Sequence, residues 1–150
     1  MTESLESAFT DVYTKFKLQF YQRIFQRLAT REATLTTTEA YCVEIISALG
    51  RPTVSEFAKF VNISVANATY KVQNLIKKGY VRKERSKEDR RESYLHVTEH
   101  FYEYQQLNTA YVSTVIERIR QHCSADEVSV FERVLVTMSK ELMPEVELGS

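Results

Sequence analysis

The stretch that decides the fold is PTVSEFAKFVNISVANATYKVQNLIKKGYV, residues 52–81. Its Thr53-Val54-Ser55-Glu56 fits a capping box, in which a hydroxyl and a carboxylate three residues apart open a helix. After a turn at Asn62, Ser64 caps a second helix that should end at Gly79. Two short helices joined by a tight turn predict a helix-turn-helix. The second helix has an apolar face of Val65, Ala68, Val72, Leu75 and Ile76 and a polar face of Asn67, Lys71, Asn74 and Lys78.

After this stretch the spacing of apolar residues changes from the helical pattern to alternation. Residues 80–85 and 93–97 read as short strands, and Leu95 and Val97 alternate with Tyr94 and His96 in the second of them. The run between them, SKEDRRE, is wholly polar. These features predict a β-hairpin with a charged tip, a wing that spans residues 80–97.

Long helices are predicted on both sides. Residues 4–28 repeat apolar side chains every three or four positions, and Thr36 to Glu39 cap a helix that stops at Gly50, after a turn at 30–35. Thr98 and Ser124 open two further helices, the latter as a capping box with Glu127. The sequence therefore predicts a mainly α (α+β) fold, a winged helix-turn-helix with long N- and C-terminal helices.

Charge is distributed unevenly in this chain. The whole sequence is neutral, with 20 Lys+Arg and 20 Asp+Glu. Residues 51–97 hold 11 of the basic side chains and five of the acidic ones, a net charge of +6, which leaves −6 for the remainder. A basic middle between acidic flanks is the electrostatic pattern expected of a nucleic-acid-binding module carried on another scaffold.

Composition narrows the class of protein further. The 150 residues suit one domain, and only three Gly and two Pro favour a helix-rich chain. No run of about 18 apolar residues occurs, and the N-terminus lacks the features of a signal peptide. Cys42 and Cys123 form no CxxC pair. A reducing, cytoplasmic location is the simplest expectation.

Three stretches resemble the MarR-type winged-helix transcriptional regulators. They are the helix-turn-helix quoted above, the wing RKERSKEDRRESYLHVTE with its Asp-x-Arg at Asp89–Arg91, and the flanking pair of long helices. Lys71 departs from the pattern, since many relatives carry an apolar residue there. The resemblance implies a homodimer in which residues 1–35 and 98–148 interlock two subunits, and residues 36–97 form the DNA-binding lobe. Such a dimer reads a pseudo-palindromic operator.

The recognition helix, 64–78, is expected in the major groove. Asn is shaped to read adenine and Lys to read guanine, whereas Thr and Tyr more often bind phosphate. The backbone N–H groups after Ser64 suit a phosphate. Two alternatives stay open, namely that Tyr70 packs against the wing and that Ala66 provides clearance instead of contacting a thymine methyl. The candidates are Ser64, Ala66, Asn67, Thr69, Tyr70, Lys71 and Asn74.

In the wing, the resemblance places Arg91 in the minor groove, oriented by Asp89. Arginine suits a narrow groove of strongly negative potential. The alternative is a solvated charge pair at a hairpin tip. Lys87 and Arg90 are expected to neutralise phosphates.

The resemblance also implies a small apolar or phenolic effector, or else metals or oxidants. Candidate pocket residues are Tyr13, Phe16, Phe20 and Tyr111, with packing in the dimer core as the alternative. No cofactor and no metal site is expected, because His96 on a strand and His100 on a helix break the His-x3-His geometry.

The leading hypothesis is a ligand-responsive homodimeric repressor. The alternative is a winged-helix protein-interaction module without specific DNA binding. An enzyme is not expected, because the sequence has no Gly-rich phosphate loop, metal cluster or nucleophile motif.

Overall fold

The computed structural model describes residues 3–28 and 35–149. Six α-helices and two strands follow one another in these ranges, and a π-helical turn at Met138–Leu142 ends the last helix. The turn predicted at 30–35 lies largely outside the described residues. The elements are α1 Leu5–Leu28, α2 Thr37–Ala48, α3 Val54–Val61, α4 Val65–Lys77, β1 Val81–Arg85, β2 Ser93–Val97, α5 Glu99–His122 and α6 Ala125–Thr137.

Local signals set the helix ends. Thr36, Thr53 and Ser124 each accept a backbone N–H of their own helix and complete a capping box with the glutamate three residues on. The joints that follow α2, α3 and α4 need a left-handed backbone, with φ of 87° at Gly50, 58° at Asn62 and 85° at Gly79. Glycine and asparagine are the residues that adopt this conformation most readily.

Helices α2 to α4 and the hairpin share one apolar core. Phe57, Val72, Leu75, Tyr80 and Leu95 are among its fully buried side chains. The hairpin is antiparallel, with Val81 opposite Val97 and Arg85 opposite Ser93. Leu95 N–H donates to the Pro52 carbonyl over 2.8 Å, and Thr53 forms a β-bridge with Tyr94. The wing is therefore fixed through β2 to the loop between α2 and α3, and the predicted winged helix-turn-helix is confirmed.

Two details of the sequence prediction were wrong. Val65 was placed on the apolar face of α4 but is exposed, because it lies in the first turn at the surface end of the helix. Thr98 precedes α5 as predicted, yet its hydroxyl makes no capping bond and donates instead to the Gly79 carbonyl. That bond ties the start of α5 to the end of the helix-turn-helix.

The terminal helices leave much apolar surface uncovered. Helix α1 contacts α5 where the Phe16 and Tyr111 rings meet edge to face, with centroids 5.6 Å apart. Helix α6 has no buried side chain among the described residues. Its exposed apolar residues are Val130, Phe131, Val134, Leu135 and Val136. None of the helices in the described ranges has the length and apolar character that crossing a bilayer requires.

Glu44 on α2 provides a test of pH-dependent stability. Its Oε1 is buried and has no hydrogen-bond partner among the described residues, and burial raises the pKa of this carboxyl above the ordinary 4.5. The folded chain then holds the proton more tightly than the unfolded chain, so stability falls as pH rises through the raised pKa. We expect Glu44→Gln to raise the Tm at pH 7 by about 1–3 °C.

The gain should shrink as the pH falls to about 4, because the carboxyl becomes mostly protonated in both states. This gain in Tm is measured by thermal melting at the two pH values, with circular dichroism as the signal. Glu132→Gln, at an exposed position on α6, is the matched control and should leave the Tm nearly unchanged. An equal gain for Glu44→Gln at both pH values would show that desolvation of the charged form is not the cause.

Candidate nucleic-acid interface

Helix α4 presents a continuous outer face. The Ser64 hydroxyl accepts the Asn67 backbone N–H over 3.0 Å and so fixes the first turn. Ala66 and Asn67 are exposed, and 65% of the Tyr70 surface is accessible, so Tyr70 does not pack against the wing. Lys71 and Asn74 are half-buried. Thr69 is also half-buried, and its hydroxyl donates to the Val65 carbonyl over 2.8 Å, which leaves it only as an acceptor.

Two exposed residues of this face were missed from the sequence. Gln73 and Lys77 lie on α4, each one turn after a predicted contact residue, Tyr70 for Gln73 and Asn74 for Lys77. Their helical spacing from Tyr70 was the available signal, because positions three, four and seven residues apart share a face. The exposed outer face therefore continues past Asn74, the last predicted contact residue, as far as Lys77.

Lys78, assigned to the polar face of α4 from the sequence, is instead paired. Its Nζ lies 2.8 Å from Glu39 Oε1, and only 29% of the Lys78 side chain is exposed. Burial raises the pKa of Glu39, but hydrogen bonds from Lys78 and Thr36 outweigh this and leave the pKa below its ordinary value. The pair fixes the end of the recognition helix against the start of α2.

The buried thiol of Cys42 lies on α2, on the same side of this helix as Glu39. Burial raises its pKa, and the charge of Lys71 opposes this only in part. A buried thiol with a raised pKa is a poor nucleophile, so Cys42 behaves as a small apolar side chain. Cys123 is half-exposed at the end of α5.

The wing tip is a compact turn that presents Arg91 to solvent. The buried Ser86 accepts the backbone N–H groups of Glu88 and Asp89, each over 3.2 Å. Asp89 Oδ1 accepts both the backbone N–H of Arg91, over 3.0 Å, and its Nε–H, over 3.3 Å. The Arg91 side chain remains 91% exposed. A carboxylate that binds the backbone and the guanidinium of one arginine restricts where that guanidinium points, while Lys87 and Arg90 stay exposed nearby.

The base of the wing carries a second charged group, which the sequence reading did not single out. Glu84 Oε2 lies 2.8 Å from His96 Nε2 and 3.9 Å from Arg51 Nη2. The approach to His96 lacks hydrogen-bond geometry, and it is an ion pair only when the imidazole is protonated. Arg51 also lies over the Tyr94 ring, with its Cζ 5.1 Å from the ring centroid. We call Arg51, Glu84 and His96 the wing-base cluster.

The predicted effector residues are only partly brought together. Phe16 and Tyr111 touch across α1 and α5, and Phe20 packs half-buried against the core. Tyr13 is exposed, with Lys17 Nζ 4.6 Å from its ring centroid. In the described part of the chain no three His, Cys, Asp or Glu side chains gather as metal ligands, and the His100 ring packs at a tilt against the Tyr80 ring, with centroids 4.3 Å apart.

Comparisons with known proteins give one family-model match and several solved structures of similar fold. Residues 35–93 match the model of the MarR family, while no curated protein matches the chain in sequence. Streptococcus pneumoniae FabT, solved in complex with DNA, is 20% identical with a TM-score of 0.61, over 95% of this chain and 100% of that one. The transcriptional regulator Tm0710 from Thermotoga maritima is 18% identical with a TM-score of 0.65, over 93% and 94%. A MepR mutant from S. aureus is 14% identical with a TM-score of 0.68, over 95% and 99%.

Proposed function

We propose, from the match of residues 35–93 to the model of the MarR family, that this chain is a sequence-specific DNA-binding transcriptional regulator. The observation that carries the proposal is the wing tip, where Asp89 holds an almost fully exposed Arg91 in a lobe of net charge +6. The structural similarity to FabT, which was solved with DNA, supports it. A charged tip that served only solubility would not need its arginine held by two hydrogen bonds.

The outer face of α4 is proposed to enter the major groove. Asn67 is exposed in the first turn, where recognition helices most often contact bases. Its amide can both donate to and accept from adenine. Tyr70, Lys71 and Asn74 follow on the next turns, and Thr69 offers its free acceptor. The backbone N–H groups of the first turn, after Ser64, would bind a phosphate, and the exposed Ala66 lies beside Asn67.

The proposed assembly is a homodimer formed through the terminal helices. A helix with a broad apolar stripe normally buries that stripe, yet α6 has no buried side chain among the described residues. A two-fold dimer that covers these faces would present two wings and two recognition helices. It would therefore read a pseudo-palindromic operator with half-sites about one helical turn apart.

We further propose that the protein is a repressor controlled by a small apolar or phenolic effector. The Phe16–Tyr111 contact joins α1 to α5, and Phe20 links the same region to the core of the DNA-binding lobe. A ligand that separates these rings would favour one orientation of the lobe over another. It would shift DNA affinity only as far as it binds the two orientations unequally. We infer a cytoplasmic protein without enzymatic activity, and no metal or cofactor is part of the proposal.

The test is fluorescence anisotropy with DNA from the region upstream of the protein's own gene, against a scrambled duplex, across a salt series. We expect the native duplex to bind far more tightly. Asn67→Ala should weaken it about tenfold, because a bidentate base contact contributes roughly 1–3 kcal/mol. The scrambled duplex should bind almost as before.

The matched control is Gln121→Ala, which removes an exposed amide from α5, outside the DNA-binding lobe. It should bind like the wild type. Equal, weak binding of both duplexes by the wild type would favour the protein-interaction module and sink the proposal. Binding of the native duplex that is insensitive to Asn67→Ala would retain the regulator but remove Asn67 from its contacts.

A further inference from the structure

Glu84 is an acidic residue within the proposed DNA-binding surface. Its carboxylate is about half exposed and lies 2.8 Å from the His96 imidazole. The His96 side chain is only 15% exposed. It also faces Arg51 at 3.9 Å. A carboxylate close to bound phosphates is unfavourable, so its position calls for a compensating role.

The wing-base cluster joins the outer part of β1, because Val81 at the start of this strand is buried in the core whereas residues 82–85 are exposed. Strand β2 is bonded to the loop between α2 and α3 through the Leu95 to Pro52 hydrogen bond and the Thr53–Tyr94 bridge. Strand β1 is paired only with β2 in the described sheet. Glu84 on β1 reaches Arg51 in that loop and His96 on β2. It is therefore a direct side-chain link from β1 to the helix-turn-helix.

We propose that Glu84 is a positioning residue, which holds β1 against Arg51 and His96 and thereby sets where the wing tip presents Arg91. This inference rests on the proposed DNA-binding function. The wing tip connects the two strands. At its base, where the chain leaves β1 and enters β2, the Ser86 N–H donates to the Glu92 carbonyl. A shift of β1 along β2 would thus move the turn that carries Asp89 and Arg91.

The sign of one substitution separates this role from a simple charge effect. If Glu84 acts only through its charge, Glu84→Gln makes the lobe more positive and tightens binding to every DNA. If it acts by position, Glu84→Gln weakens the operator complex, because the wing tip no longer presents Arg91 correctly. Binding to scrambled DNA, which depends on phosphate contacts, should still tighten.

Glu88→Gln is the matched control. It removes the same charge from the same wing, and the Glu88 carboxylate is in none of the salt bridges found in residues 3–28 and 35–149. We expect Glu88→Gln to raise the affinity for both DNAs about twofold. Glu84→Gln should raise the affinity for the scrambled duplex equally but lower the affinity for the operator about threefold to tenfold. In an Arg91→Ala background the loss caused by Glu84→Gln should vanish, because the positioned group is gone.

Hydrogen exchange of the free protein supplies a readout without DNA. Amides of residues 86–92 should exchange faster in Glu84→Gln and at the wild-type rate in Glu88→Gln. Tighter operator binding by both variants, or unchanged exchange in Glu84→Gln, overturns the inference and leaves the proposed function standing. A wild type that binds the operator no better than scrambled DNA overturns both.

Discussion

Leu135→Glu is expected to lower operator affinity about 100-fold or more and to leave the protein monomeric. Leu135 is 38% exposed on α6, among apolar neighbours that also lack cover. In the proposed dimer this side chain is buried, and an unpaired buried carboxylate costs several kcal/mol. A monomer also loses the benefit of binding two half-sites at once. Light scattering after size exclusion and fluorescence anisotropy measure the two effects.

Ser129→Glu is the control for this substitution. It adds the same charge to the same helix, at an exposed position one turn before the charged Glu132 and Arg133. We expect it to remain dimeric and to bind the operator within about twofold of the wild type, since surface substitutions away from interfaces have small effects. If Leu135→Glu stayed dimeric, the uncovered face of α6 would not be the interface.

Arg91→Ala is expected to weaken operator binding about tenfold to a hundredfold, which corresponds to roughly 1–3 kcal/mol. The guanidinium is held by Asp89 and exposed at the tip, so its loss removes a positioned contact with the minor groove. Binding to scrambled DNA should fall far less. Anisotropy titrations of the two duplexes at one fixed salt concentration give the comparison.

Arg90→Ala tests whether Arg91 contributes to operator binding through its held position or only through its charge. Arg90 neighbours Arg91 and is exposed, so the variant loses the same charge from the same turn. Its effect should be similar on both duplexes, with the salt slope smaller by about 0.9. Equal effects of Arg90→Ala and Arg91→Ala on the operator would argue for a wing that acts only as a patch of charge.

The helix-turn-helix was predictable because its signals are local. Capping needs a hydroxyl and a carboxylate three residues apart, as at Thr53 and Glu56, and the structure forms both bonds. The joints at Asn62 and Gly79 were readable because few residues accept a positive φ. The wing was predictable from the change in apolar spacing, from helical to alternating, after Gly79. These features depend on neighbours in sequence, so the order of elements was predicted correctly.

Contacts between distant residues were not predictable in the same way. Glu84 meets His96 only in one strand register, and it meets Arg51 only once the wing lies on the loop before α3. Lys78 seemed to belong to the polar face of α4 by spacing, yet Glu39 on α2 pairs with it. Such pairs need tertiary geometry that periodicity does not contain. The roles of the predicted contact residues, and the limits 1–35, 36–97 and 98–148, stay predictions.

The uncovered face of α6 has a consequence for how the protein persists in a cell. If its apolar side chains are buried only between two subunits, part of the folding free energy depends on protomer concentration. Dilution then weakens the fold itself, and a scarce regulator spends more time in states that proteases can cut. An operator that binds the dimer would stabilise its own regulator by mass action. The pool of free protein would turn over faster than the pool held on DNA.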